Sequence, residues 1–149
     1  MTNMAPSIII NIQDTIHKRP IITKPSCYPL IKSVFKKDAE ITIRIVSINE
    51  SKLLNKKFRK KNNPTNVLSF LIDDSEKLLG DLVLCHDVIR NEARLQKKLI
   101  KNHYSHLILH GFLHLIGYDH INEADQKMME KKEIQVLKEL NIENPYILK

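Results

Sequence analysis

HGFLHLIGYDH, residues 110–120, is the stretch on which the reading of this chain turns. His110 and His114 stand four residues apart. A helix advances about 100° per residue, so both side chains project from one face and can share one ion. Gly117 can end the helix in a left-handed conformation, and the chain turning back through Gly-Tyr-Asp brings His120 in from outside it. Three neutral imidazoles leave the fourth position of a tetrahedron open, the catalytic arrangement of zinc and not the closed structural one.

His-x3-His-x2-Gly-x2-His is also the ligand spacing of a metzincin peptidase, but Gly111 stands where that enzyme carries its catalytic glutamate. Glycine inside a helix costs roughly 1 kcal/mol against alanine. The chain has only 3 glycines, so something at 111 needs the missing side chain: a close neighbour, or room for substrate beside the metal. His103 and His106 precede His110 by seven and four residues, and spacing alone would permit a His106/His110 pair. The three-histidine pattern with its glycine turn is far more specific. His17 and His86 are taken as non-ligands.

Outward from this motif, strands and helices interleave. PSIIINIQD (6–14) reads as a strand, and EITIRIVSI (40–48) as a half-buried one with Ile41, Ile43 and Ile45 on one face. Residues 24–37 read as a helix starting after Pro25 or Pro29. SINESKLLNKKFRKK (47–61) reads as a helix capped by Ser47, with Glu50 completing a capping box and Leu53, Leu54 and Phe58 forming its apolar face. PTNVLSFLI (64–72) and the start of LLGDLVLCHDVI (78–89) read as strands. Asp87 can cap a helix from about Val88. The pattern over 88–116 is helical, in one piece or broken near Lys98–Asn102. A last helix over 121–140 is capped by Asn122 with Asp125 at the third position. The expected fold is α+β: a single domain over 1–149, one mixed sheet of about four strands packed with helices, and the zinc site at the end of a long helix.

Composition bounds the rest. With 42% hydrophobic and 28% charged residues, the chain is ordinary for a globular protein. No apolar run reaches the roughly 20 residues that span a membrane, and the N-terminal stretch lacks a secretory pattern, so no membrane partner and a cytoplasmic location are expected. Two cysteines far apart argue against a disulfide framework or a thiolate site. The net charge of +7 favours polyanionic partners. LNKKFRKKNNPTN (54–66) concentrates it, with five Lys/Arg and no acid; a solvated basic face is the plain account, but Phe58 and Pro64 suggest an ordered surface. Oligomeric state is left open.

Here the sequence resembles the bacterial YbeY-type endoribonucleases, or rRNA maturation factors. Their signature H-x3-H-G-x-L-H-L-x-G-Y-D-H stands as HLILHGFLHLIGYDH (106–120). A second block stands as LNKKFRKKNNPTNVLSF (54–70), a third as GDLVLC (80–85), and the final helix, with Met129 and Glu133, follows the family's tail. The match runs in order over about 41–140. Asn62 and Asn66 replace usual aspartates, and Leu71 a common proline. The resemblance implies a metal-dependent endoribonuclease specific for single-stranded RNA. It implies a role in maturing the 3′ end of small-subunit (16S) rRNA and in ribosome quality control, with the ribosome or small subunit as partner. It implies one Zn2+ held by His110, His114 and His120, with His114 and Arg59 catalytic.

In that reading Arg59 offers a bidentate donor to phosphate, and Lys57, Lys60 and Lys61 track the RNA backbone. Asp119 either orients a histidine or shapes the turn, with the turn preferred; Tyr118 either packs or stacks on a base. Two rivals stand beside it: a metzincin-like zinc peptidase, and a non-catalytic ribosome-assembly factor whose zinc is structural.

Overall fold

The computed structural model describes residues 5–147. Its elements run β1 (Ile8–Asp14), α1 (Lys24–Lys32), β2 (Ala39–Val46), α2 (Ile48–Arg59), β3 (Val67–Asp73), β4 (Leu78–Cys85), α3 (His86–Leu95), α4 (Ile100–Leu115) and α5 (Glu123–Glu139). The strands form one mixed sheet in the order β1-β2-β4-β3. β1, β2 and β4 are parallel, and β3 runs antiparallel to β4 at the edge. The α+β class and the four-stranded mixed sheet are as the sequence implied.

The alternation in β2 sorts the sheet's two faces. Ile41, Ile43 and Ile45 are fully buried, and with Leu82 and Leu84 of β4 they meet Leu109, Phe112 and Leu113 of α4 in the main core. Helix α4 is apolar around most of its circumference because it is central, with the sheet on one side and α1, α3 and α5 around it. The opposite face carries a small cluster, Val46, Leu68 and Val83, flanked by Leu54 and Phe70, beside α2.

Several boundaries and faces differ from the sequence expectation. α1 begins before Pro25, not after it. Thr23 caps it, and Pro25 occupies the first turn, where a missing N–H costs nothing. It ends at Lys32, short of Lys37. Ser47 caps α2 by accepting from the Glu50 N–H at 3.2 Å. The Glu50 carboxylate does not close the capping box; it accepts from Arg44 of β2 at 2.7 and 3.0 Å. The face of α2 that is buried is polar: Ser51 and Asn55. Ser51 Oγ donates to the Thr65 carbonyl at 3.1 Å, and Asn55 Nδ2 to the Asn63 carbonyl at 2.8 Å. Those bonds lash α2 to the loop before β3 and leave Leu53 68% and Phe58 55% exposed. α3 starts at His86, so Asp87 lies in its first turn, where it meets the helix dipole and Arg90 at 3.5 Å. The break between α3 and α4 falls at 96–99. No helix among the described residues is long and apolar enough to cross a membrane.

Candidate metal centre and its cleft

His110 and His114 leave α4 in its last two turns. Gly117 follows at φ +102°, a left-handed conformation that a side chain would strain. The Tyr118 N–H then bonds back to the Leu113 carbonyl at 2.9 Å. This reversal delivers His120, and the three histidines offer ligand atoms within 4.8 Å of one another. His110 and His114 are half-buried and His120 is exposed, so the group lies at a surface.

Second partners determine which nitrogens face inward. His110 Nδ1 lies 2.7 Å from Glu133 Oε2, and an ionised carboxylate only accepts, so this nitrogen carries the proton. Burial would raise the Glu133 pKa, but hydrogen bonds from His106 and His110 outweigh it and bring it to about 2. His114 Nδ1 donates to the Tyr118 carbonyl at 3.1 Å. In the neutral rings both Nε2 atoms are then bare lone pairs, and they face each other at 3.2 Å. Two such lone pairs repel unless a cation lies between them. Tetrahedral ligands at about 2.05 Å from zinc would lie about 3.3 Å apart, so the donor set fits a single ion. Burial, then the neighbouring His110 and His120, lower the His114 pKa and favour the unprotonated ring that a metal needs.

A second group, His106, His110 and Glu133, is also close together. Its contacts are hydrogen bonds at 2.8 and 2.7 Å, and Glu133 Oε1 also accepts from the Tyr146 hydroxyl. It serves as the support for His110. His103 donates to Glu92 at 2.8 Å. His17 pairs with Asp14 and His86 with Tyr104, away from the three histidines.

The Gly111 alternatives are resolved in favour of a close neighbour. A Cβ there would stand 3.0 Å from Leu82 Cδ2, 3.0 Å from Ser69 Oγ and 3.1 Å from Val67 Cγ2. The Ser69 hydroxyl donates to the Gly111 carbonyl at 2.8 Å. Position 111 thus faces β3 and β4, and the glutamate of a peptidase would press on all three of these side chains. Tyr118 packs on the core and lends its carbonyl to His114. Asp119 accepts from the His120 N–H at 2.7 Å and shapes the turn.

The histidines floor one end of a cleft of about 610 Å³, which Phe58, Arg59, Ser69 and Phe70 also line, and no carboxylate is among its lining residues. Arg59 ends α2, and no acidic side chain pairs with it among the described residues. Lys60 adopts the left-handed C-cap at φ 57°. Lys57, Lys60 and Lys61 are exposed beside it but do not line the cleft. Asn66 is committed at both ends of its side chain, accepting from the Val67 N–H at 2.7 Å and donating to Glu92 at 3.1 Å. The amide thus bonds to a carboxylate that an ionised aspartate would repel. Asn62 is exposed. Leu71 sits on the edge strand, where proline is tolerated. Glu133 is the contributor that local patterning missed.

The family model for Endoribonuclease YbeY matches residues 14–141. The chain belongs to the YbeY endoribonuclease family. An Endoribonuclease YbeY of Nitrosomonas europaea is 42% identical over 95% of this chain and 86% of its own. That of Alteromonas mediterranea is 50% identical over 73% of this chain and 72% of its own. A solution structure of a Thermotoga maritima protein superposes with a TM-score of 0.59 at 25% identity, covering 89% of this chain and 92% of that one. Family membership accounts for the order of the blocks around residues 54–70, 80–85 and 106–120.

Proposed function

We propose that the chain, as one domain over 1–149, is a zinc-dependent endoribonuclease of the cytoplasm that cleaves single-stranded RNA. Its role would be late maturation of the 3′ end of 16S rRNA and ribosome quality control, with the small subunit as partner. Membership of the YbeY family supports RNA as substrate. The observation that carries the reading is that, among the described residues, no carboxylate lines the cleft that holds three histidines and Arg59. Such walls attract a phosphodiester, whereas an acid in them would repel it.

In this reading His110, His114 and His120 hold one Zn2+, which supplies Lewis acidity toward a phosphoryl oxygen or a water molecule. Glu133 and the Tyr118 carbonyl hold the protons of His110 and His114 on Nδ1, keeping both Nε2 atoms as donors to the metal. Arg59 grips the scissile phosphate through its planar fork and stabilises charge there in the transition state. Lys57, Lys60 and Lys61 hold neighbouring phosphates from outside the cleft. The peptidase alternative loses support from Gly111, which lacks the catalytic carboxylate and is packed closely against Leu82, Ser69 and Val67 of the sheet.

The test combines metal analysis with cleavage of a single-stranded rRNA 3′ segment. The native protein should carry about one zinc and cut. His114→Ala should lose both metal and cleavage; Arg59→Ala should keep the metal and lose cleavage. Cleavage that survives in His114→Ala would overturn the reading. A His114→Ala protein that still supports ribosome maturation in cells would favour the assembly-factor role with structural zinc.

A further inference from the structure

The cleft holds a feature that phosphate binding does not use. Phe58 immediately precedes Arg59 on α2 and is 55% exposed, although helical periodicity puts it on an apolar face. It is not stranded in solvent alone. Phe70 of β3 meets it at 5.0 Å between ring centroids, with the planes at 62°. Phe70 is itself anchored against the small cluster of Val46, Leu68 and Val83. Lys57 Nζ lies 5.2 Å from the Phe58 centroid. Both phenylalanines line the same cleft as Arg59 and the three histidines, and a cleft of about 610 Å³ falls in the ordinary range for nucleotide-sized ligands, about 300–1,000 Å³.

We propose that Phe58, braced by Phe70, is the platform on which one unpaired base of the RNA stacks beside the scissile phosphate, and that it makes the cleft select single strands. This rests on the endoribonuclease reading of the same site. Cations such as Lys57 and Arg59 meet phosphates of single and double strands alike, so charge alone does not discriminate. An aromatic ring does: the faces of a base in a duplex are already covered by its neighbours, whereas a splayed base has a free face. Stacking is tolerant of base identity, which suits an enzyme that selects strandedness before sequence. The brace matters as well. A ring held by Phe70 loses less freedom on binding than a lone exposed side chain would. One base stacked on an aromatic side chain is worth roughly 5- to 150-fold in affinity.

Binding of a short single-stranded RNA and of the matching blunt duplex is measured by fluorescence anisotropy at one fixed salt concentration, with cleavage kinetics alongside. Phe58→Ala should weaken single-strand binding about tenfold or more and raise KM, while duplex binding changes little. Phe58→Trp should restore single-strand binding, and Phe58→Leu, which keeps apolar bulk without a ring, should not. An otherwise identical strand with one abasic ribose at the stacked position should bind the native protein as weakly as Phe58→Ala binds the intact strand. Placing that ribose in the Phe58→Ala complex should cost nothing further. Equal losses on strand and duplex, or rescue by leucine, would overturn the platform and make Phe58 a packing residue. If the native protein cuts single strands and Phe58→Ala does so with unchanged KM, the platform alone fails. A native protein that neither binds nor cuts RNA would overturn the endoribonuclease reading and the platform with it.

Discussion

Gly111→Ala isolates the close contact at the middle of α4. In an open helix this substitution stabilises by roughly 1 kcal/mol, because alanine has less backbone freedom to lose. Here the new methyl would arrive 3.0 Å from Leu82 Cδ2, 3.0 Å from Ser69 Oγ and 3.1 Å from Val67 Cγ2. Each contact is several tenths of an ångström too short. Leu82 is fully buried, and Ser69 Oγ is tied to the Gly111 carbonyl. Relief therefore requires α4 to lift from β3. Overpacking of this kind costs about 1–3 kcal/mol, so after the propensity gain the net should be a loss of about 1 kcal/mol. For a chain of this length that lowers Tm by about 2–4 °C. Lifting α4 also moves His110 relative to Ser69 and Arg59, so cleavage should fall while zinc stoichiometry holds. Thermal melts by circular dichroism and single-turnover cleavage read both effects. A Gly111→Ala protein with a higher Tm and unchanged cleavage would refute the close-contact account.

Three further outcomes are expected. Glu133→Gln leaves one acceptor oxygen, and no charge, for the three donors His106, His110 and Tyr146, so zinc affinity measured against a competing chelator should drop about 10–100-fold; an unchanged affinity would make Glu133 a core residue only. Lys57, Arg59, Lys60 and Lys61 together should give a log Kd against log salt slope of about 3 for single-stranded RNA, and each Lys→Ala should remove about 0.7 of it; a slope near zero would detach the basic run from the substrate. Asp14 accepts from the backbone N–H groups of Ile16, His17 and Ile21 at 2.9, 3.0 and 3.0 Å and meets His17 Nδ1 at 2.8 Å. Burial would raise its pKa, but these bonds win and lower it. Its stabilisation is therefore complete above the unfolded value near 4 and is lost as pH falls through the lower folded one. Asp14→Asn should cost about 2 kcal/mol at pH 7 in urea melts, and the gap to the native protein should narrow at pH 3 and below; an equal gap at both would rule out the charge as its source.

What was legible in the sequence was whatever a short spacing encodes. His110 and His114 on one helix face, Gly117 as the stop and the alternation of Ile41, Ile43 and Ile45 are local periodicities, and the fold obeys them. What was not legible depends on partners distant in the chain. Leu53 and Phe58 read as the buried face of α2, yet Ser51 and Asn55 take that place because they bond to the carbonyls of Thr65 and Asn63. Periodicity counts apolar residues and is blind to such bonds. Asp87 read as a cap, but aspartate suits both the cap and the first turn, and only the β4 register decides between them. Glu133 lies 23 residues beyond His110, and no local motif connects a carboxylate on α5 with an imidazole on α4. The reason for Gly111 needed the position of β3, an edge strand that nothing within the helix reveals.

The placement of acids explains how a peptidase-like ligand spacing serves a different substrate. A zinc peptidase needs a carboxylate on the substrate side of the metal to take a proton from water. In this chain the acid nearest the histidines, Glu133, reaches His110 from behind, through Nδ1. It is fully buried and bonded to His106, His110 and Tyr146, so it orients a ligand without meeting substrate. Asp119 is turned to the N–H of His120. Glu92 is occupied by Asn66 and His103. Glu133, Asp119 and Glu92 are thus held by protein donors outside the cleft's walls, and among the described residues no acidic side chain pairs with Arg59. A single carboxylate placed in the cleft wall would exchange attraction for repulsion of a phosphodiester. At 111, the position where a peptidase would place such an acid, the helix lies so close to the sheet that a side chain would have to displace Leu82, Ser69 and Val67.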